Sequence, residues 1–127
     1  MSVTILLCDD EFPITRAASL KLARAGYAVE TRQDGLAAWE AYQQQRPSLL
    51  VTDLQMPRLD GIGLIRRIRE NDATLPIILL TAKGYEIDET ALRAEFDPFR
   101  LFSKPFSPRE LADAVGQMLT TAPVALS

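Results

Sequence analysis

Histidine is absent from all 127 residues. Its absence excludes imidazole acid–base catalysis, His-ligated metal sites and a phosphohistidine role for these residues. Cysteine occurs once, as Cys8 inside an apolar run, so no disulfide can form within the chain. A small buried core residue is the plain reading of that thiol. Basic residues are outnumbered, 14 against 17 acidic, for a formal net charge of −3. Nucleic acid as a direct partner would need a basic face to neutralise phosphates. No apolar run approaches the roughly 20 residues that cross a bilayer. Met1-Ser2-Val3-Thr4 lacks the basic segment of an export signal. These absences give the expectation of a cytoplasmic protein that contacts neither membrane nor nucleic acid directly.

What remains is an ordinary globular composition, 47% hydrophobic and 24% charged, of a length suited to one core. Val3–Cys8 is a continuous apolar and β-branched run, read as a buried strand. A helix follows from about Pro13 to Ala25, with Ile14, Ala17, Ala18 and Leu22 on one face and Gly26 as its stop. Ala28–Thr31 reads as a weaker strand. Asp34-Gly35 turns into a helix to about Gln45, with Leu36, Ala38, Trp39 and Tyr42 as its apolar set. Leu49–Asp53 is a third strand, and a helix over about Ile62–Glu70 carries Ile65 and Ile68, with Ile62 and Leu64 nearby. Pro76–Leu80 is a fourth buried run, and Glu86–Ala94 has helical character. Phe99–Phe102 is a short fifth strand. Ser107, Pro108 and Glu110 mark the start of a last helix through a capping box, with Leu111, Val115, Met118 and Leu119 at helical spacing. Five strands alternating with five helices call for a parallel sheet covered on both faces.

The C-terminal ends of parallel strands share one edge of the sheet, which is where such folds bind ligands. Strand one ends in Asp9 and Asp10, strand three in Asp53, strand four in Thr81 and strand five in Lys104. Each has an unremarkable explanation alone: a helix cap, a turn, a strand threonine, a solvated lysine. Together they form a coherent set. Clustered carboxylates raise one another's pKa unless a cation neutralises them. An oxygen-rich, histidine-free site suits Mg²⁺. A carboxylate beside such an ion can attack phosphorus, with Lys104 and Thr81 available to meet the developing charge.

The motifs D-D-E-x-P at Asp9–Pro13, D-L-x-M-P-x-x-D-G at Asp53–Gly61, T-A at Thr81-Ala82 and K-P-F at Lys104–Phe106 resemble the receiver domain of two-component response regulators. The resemblance spans about Val3 to Leu119. It implies a flavodoxin-like (βα)5 fold, doubly wound, with a five-stranded parallel sheet. It implies phosphorylation of Asp53 by a histidine kinase or a histidine phosphotransfer protein, with slow self-dephosphorylation rather than turnover of a dedicated substrate. Asp10, Asp53 and the Gln55 backbone carbonyl match ligands of Mg²⁺ (or Mn²⁺), and Asp9 a water-mediated one. Thr81, Ala82 and Lys104 match the phosphate-binding and switch positions, and the Lys104–Pro105 bond would be cis. Residues 1–120 form the receiver on this reading, and 121–127 a tail or linker stub. The face built by helix 4, strand 5 and helix 5 is a possible dimerisation surface, and the output partner is left open.

Two features depart from that pattern. Leu101 stands where the family usually has an aromatic switch residue, and Phe102 could take the role only in a different register. Glu95–Phe99, with a proline and two phenylalanines, implies a loop of altered shape. Its rings either form an exposed apolar patch or tuck beneath the loop. Gln55 and Lys83 either modulate the lifetime of a phosphoryl group or are simply solvated. Two other functions fit parts of the chain. One is a receiver-like module that acts without phosphorylation. The other is a phosphohydrolase of the haloacid-dehalogenase type, which needs a second acid where Gln55 stands.

Overall fold

The computed structural model describes residues 3–82 and 87–121. The elements alternate throughout: β1 (Thr4–Cys8), α1 (Phe12–Arg24), β2 (Ala28–Arg32), α2 (Gly35–Gln44), β3 (Leu49–Asp53), α3 (Gly61–Arg69), β4 (Ile77–Thr81), α4 (Glu89–Phe96), β5 (Phe99–Ser103) and α5 (Pro108–Thr121). All strand pairs are parallel, in the order β2-β1-β3-β4-β5. This is the flavodoxin-like arrangement, with a reversal of strand order beside β1 and β3.

The strands in the middle are buried because their sequences are apolar throughout. Every residue of β3 and β4 is buried. Alternate side chains feed two cores. On one face Leu6, Leu50, Ile77 and Leu79 meet Ala38 and Ala41 of α2, Leu64, Ile65 and Ile68 of α3, and Phe96 of α4. On the other, Ile5, Leu7, Val51, Ile78 and Leu80 meet Ala18 and Leu22 of α1 and Leu111, Ala114 and Val115 of α5.

Local signals set the helix ends. The Gly26 N–H donates to Ala23 O at 3.0 Å and the Tyr27 N–H to Leu22 O at 3.2 Å, with Gly26 at φ 101°, so α1 closes in a Schellman motif. Asp34 caps α2 by accepting from the Ala37 N–H at 2.8 Å. Asp60 caps α3 by accepting from the Gly63 N–H at 2.7 Å. The Ser107–Glu110 capping box is present in both directions, at 3.1 and 3.3 Å. Among the described residues, no helix is long and apolar enough to cross a membrane.

Some expectations need correction. On α1, Thr15 rather than Ala17 is buried, because its hydroxyl donates to the carbonyls of Asp9 and Glu11 at 3.2 and 3.1 Å. α4 runs from Glu89, capped by Asp88, to Phe96, later at both ends than Glu86–Ala94. Of the two alternatives for the loop rings, the structure has them tucked beneath it, with Phe96 and Phe99 1% and 2% exposed.

The loop between them is held by Arg69. Its guanidinium donates to the carbonyls of Phe96 (2.9 and 2.6 Å), Pro98 (3.1 Å), Asp72 (3.0 Å) and Leu75 (2.7 Å). A planar five-donor fork is the side chain that can satisfy four carbonyls at once.

Candidate functional site

The strand ends converge as the parallel topology requires. The Asp9 N–H donates to Arg32 O at 3.1 Å, and the Lys104 N–H to Thr81 O at 2.8 Å, so both residues continue their ladders one step beyond the strands. Asp9 and Asp53 are 1% and 6% exposed, while Asp10 is exposed. One carboxylate oxygen each from Asp9, Asp10 and Asp53 can be chosen with all three within 4.8 Å of one another. The Lys104 ammonium enters the same space. It lies 3.3 Å from Asp53 Oδ1, 3.1 Å from Asp9 Oδ2 and 2.7 Å from Glu11 Oε1.

Close approach of the backbone completes the arrangement. The Gly61 N–H donates to Leu54 O at 2.8 Å, which folds the loop after Asp53 back onto the strand. A Cβ on Gly61 would overlap the Asp53 carbonyl oxygen and sit 2.9 Å from Leu79 Cδ1. Only glycine allows α3 to start this near the end of β3.

A cavity of about 60 Å³ opens here, lined by Glu11, Asp53, Leu54, Gln55, Thr81, Ala82 and Lys104. It is far smaller than the roughly 300 Å³ or more of a typical small-molecule site. A larger hollow of about 700 Å³ lies elsewhere, between Glu89, Arg93, Arg100 and Met118, away from the acids.

The electrostatics follow from crowding and burial. Burial, and then the Asp9 charge, push the Asp53 carboxyl up from 3.8 to about 6, against the pull of Lys104. Burial likewise raises Asp9. For Lys104 burial disfavours the charge, but Glu11, Asp9 and Asp53 outweigh it and raise its pKa. At neutral pH the site therefore holds an ionised Asp53 beside a firmly charged lysine. Asp9 Oδ2 is buried without a hydrogen-bond partner, since the Lys104 ammonium at 3.1 Å is an ion-pair neighbour rather than an aligned donor. An orphaned buried carboxylate oxygen facing two further acids fits a hard cation such as Mg²⁺.

The sequence-derived set thus meets at one place. Gln55 and Ala82 line the cavity with exposed side chains, and buried Thr81 forms its wall. The Lys104–Pro105 bond is cis, and so is Asp97–Pro98, which sequence reasoning missed. Leu101 faces the α4 side of the sheet and pairs with Leu79, while Phe102 packs on the α5 side against Phe106. Phe102 therefore cannot replace Leu101 as a switch residue. Lys83 lies outside the described residues. Glu11 was read only as part of the D-D-E motif. Its grip on Lys104, 93 positions away, has no signature in sequence.

A doubly wound parallel sheet with an acid–lysine cluster at the switch of strand order is a flavodoxin-like arrangement. The model for the response regulator receiver domain matches residues 5–116. The chain belongs to the receiver domains of two-component response regulators. It is 37% identical over 125 residues to the alkaline phosphatase synthesis transcriptional regulatory protein PhoP of Bacillus subtilis (strain 168), covering 98% of this chain and 52% of that one. With the response regulator MprA of Mycobacterium ulcerans (strain Agy99) it shares 39% over 112 residues, 87% of this chain and 47% of the other. The chain thus spans about half the length of the curated relatives it matches. Among solved structures, the chemotaxis response regulator CheY4 of Vibrio cholerae superposes with a TM-score of 0.82 at 27% identity, over 92% of this chain and 98% of that one. The receiver domain of NtrX from Brucella abortus gives 0.81 at 27% identity, over 93% and 99%.

Proposed function

We propose that this receiver takes a phosphoryl group onto Asp53 from a phosphohistidine of a histidine kinase or phosphotransfer protein. One observation carries the reading. Asp53 lies 3.3 Å from the Lys104 ammonium and beside Asp9 and Asp10, at the mouth of a cavity too small for a metabolite. A carboxylate oxygen of Asp53 forms the new bond to phosphorus, the phosphorus–nitrogen bond of the donor breaks, and the donor imidazole leaves. Asp9, Asp10 and Asp53, with the Gln55 backbone carbonyl, would hold Mg²⁺ or Mn²⁺. When bound, that ion neutralises the acids and the phosphoryl oxygens. Lys104 meets the added negative charge from the opposite side, and Thr81 supplies a hydroxyl. The same site then loses the group slowly to water, with Gln55 at the edge of the cavity. Although burial and Asp9 raise the Asp53 carboxyl to about 6, it is still mostly ionised near neutrality, as a nucleophile must be.

The chain acts on this reading as a switch in a cytoplasmic signalling protein. The α4–β5–α5 face is available to an output domain or a second copy. Residues 1–120 act as the receiver. Incubation with Mg²⁺ and a small phosphodonor labels wild type and leaves Asp53→Asn unlabelled. Equal labelling of both overturns the assignment.

A further inference from the structure

Lys104 makes three contacts with carboxylates, and they are unequal. Asp53 Oδ1 and Asp9 Oδ2 are ion-pair neighbours at 3.3 and 3.1 Å. The ammonium's hydrogen bond runs instead to Glu11 Oε1, at 2.7 Å. Lys104 is almost buried, with its side chain 9% exposed, whereas that of Glu11 is 55% exposed.

The backbone around Glu11 is fixed. Its N–H donates to Asp9 Oδ1 at 2.9 Å, and its carbonyl accepts from the Thr15 N–H and hydroxyl, both at 3.1 Å. Glu11 is the N-cap residue of α1, yet its side chain makes no capping bond. The carboxylate instead accepts from Lys104, and Glu11 lines the cavity together with Asp53, Thr81 and Lys104.

We infer that Glu11 is a positioning residue that competes with the phosphoryl group for Lys104 and so holds back phosphorylation. This rests on the Asp53 reading above. In the resting state the lysine is held toward the rim by Glu11. In the transferring state its donors must turn to phosphoryl oxygens on Asp53, and that hydrogen bond must break. A contact made in the ground state and lost in the transition state raises the barrier by its own strength. A charge-assisted bond with one partner near the surface corresponds to about a threefold to tenfold effect on rate. Glu11 is then a brake on phosphorylation.

The test uses the whole chain, Mg²⁺ and phosphoramidate as donor, with Glu11→Gln, Glu11→Asp and Asp53→Asn variants. Aspartate keeps the charge but is about 1.5 Å shorter, so it cannot grip the ammonium. Both Glu11 variants should be labelled about threefold to tenfold faster than wild type. In metal-free protein, exchange of the Lys104 ammonium protons, followed by ¹⁵N NMR, should quicken in both by a similar factor. Unchanged or slower labelling, with unchanged exchange, overturns the inference. So does acceleration in Glu11→Gln alone, which would mean simple repulsion of the anionic donor. Labelling of Asp53→Asn would instead overturn the Asp53 reading, and ammonium exchange would still decide whether Glu11 holds Lys104.

Discussion

Gly61→Ala tests whether the start of α3 truly determines where Asp53 sits. The added Cβ would overlap the Asp53 carbonyl oxygen, lie 2.9 Å from Leu79 Cδ1 and 3.1 Å from the Asp53 carbonyl carbon. Two of these neighbours are backbone, so the end of β3 or the start of α3 must move. Overpacking of this kind costs about 1–3 kcal/mol. Relief of glycine's conformational freedom returns up to about 1 kcal/mol. The net loss of about 1–2 kcal/mol corresponds to a fall in Tm of about 4–8 °C for a domain of this size. A displacement approaching 1 Å at the nucleophile would slow phosphorylation by about tenfold to a hundredfold. Gly116→Ala in α5 is the matched control. Its Cβ would meet nothing closer than the Tyr27 hydroxyl at 3.7 Å, an ordinary contact. Removing an interior helix glycine there should add about 0.5–1 kcal/mol. Thermal denaturation followed by circular dichroism reads both, and small-donor labelling reads the first. The reasoning fails if Gly61→Ala melts like wild type with an unchanged labelling rate, or if Gly116→Ala loses as much stability.

Two further perturbations probe the end of the sheet remote from Asp53. Arg69→Lys keeps the charge, but an ammonium cannot reach four carbonyls that a planar guanidinium spans, so urea denaturation should show a loss of about 2–4 kcal/mol. Amide exchange at Asp97 and Phe99 should quicken with it, and wild-type stability would refute the clamp. Asp72 accepts from Arg46 at 2.6 Å and from the Tyr42 hydroxyl at 3.0 Å. Burial alone would raise its carboxyl, but Arg46, the Thr74 N–H and Tyr42 hold it at about 2, below the ordinary 3.8. A depressed folded-state pKa contributes stability above pH 3.8 that is lost as pH falls toward 2. Arg46 is half exposed, which trims this contribution to about 1–2 kcal/mol. Asp72→Asn should lose that stability at neutral pH and show a flatter acid limb in urea titrations between these values. An unchanged acid limb would refute the pairing.

Much of this was legible in the chain because strand ends carry their own signal. Apolar runs such as Leu49–Val51 and Ile77–Leu80 stop at Asp53 and Thr81, and a parallel sheet must bring those stops to one edge. Helix α5 was legible for the same local reason, through Ser107 and Glu110. What could not be read depends on side-chain reach between distant segments. Arg69 sits among Arg66 and Arg67 and reads as one more cation on a solvated helix face, yet it is turned inward to carbonyls of three other segments. Glu11 reads as an acid in a motif, but its role lies in a contact with Lys104. The start of α4 at Glu89 was missed because Glu86 and Ile87 continue a helical pattern that the Asp88 cap interrupts.

Arg69 also determines how movement can travel along α4. The Phe96 end of the helix is fastened through its carbonyl to a guanidinium that simultaneously holds Leu75 ahead of β4 and Pro98 ahead of β5. The opposite end has lighter ties: the Asp88 cap on the Ala91 N–H at 3.1 Å, and Glu89 accepting the Leu101 N–H at 3.3 Å. Among the described residues α4 is thus tied more firmly at Phe96 than at Glu89, as a lever is at its fulcrum. Its eight residues make an arm of about 12 Å. A tilt of about 10° about the fulcrum carries the Glu89 end through about 2 Å, on the same helical rise. That is enough to part Glu89 from the outward-facing edge of β5. The Glu89 end is therefore the one that a small tilt would carry away from the backbone N–H of Leu101.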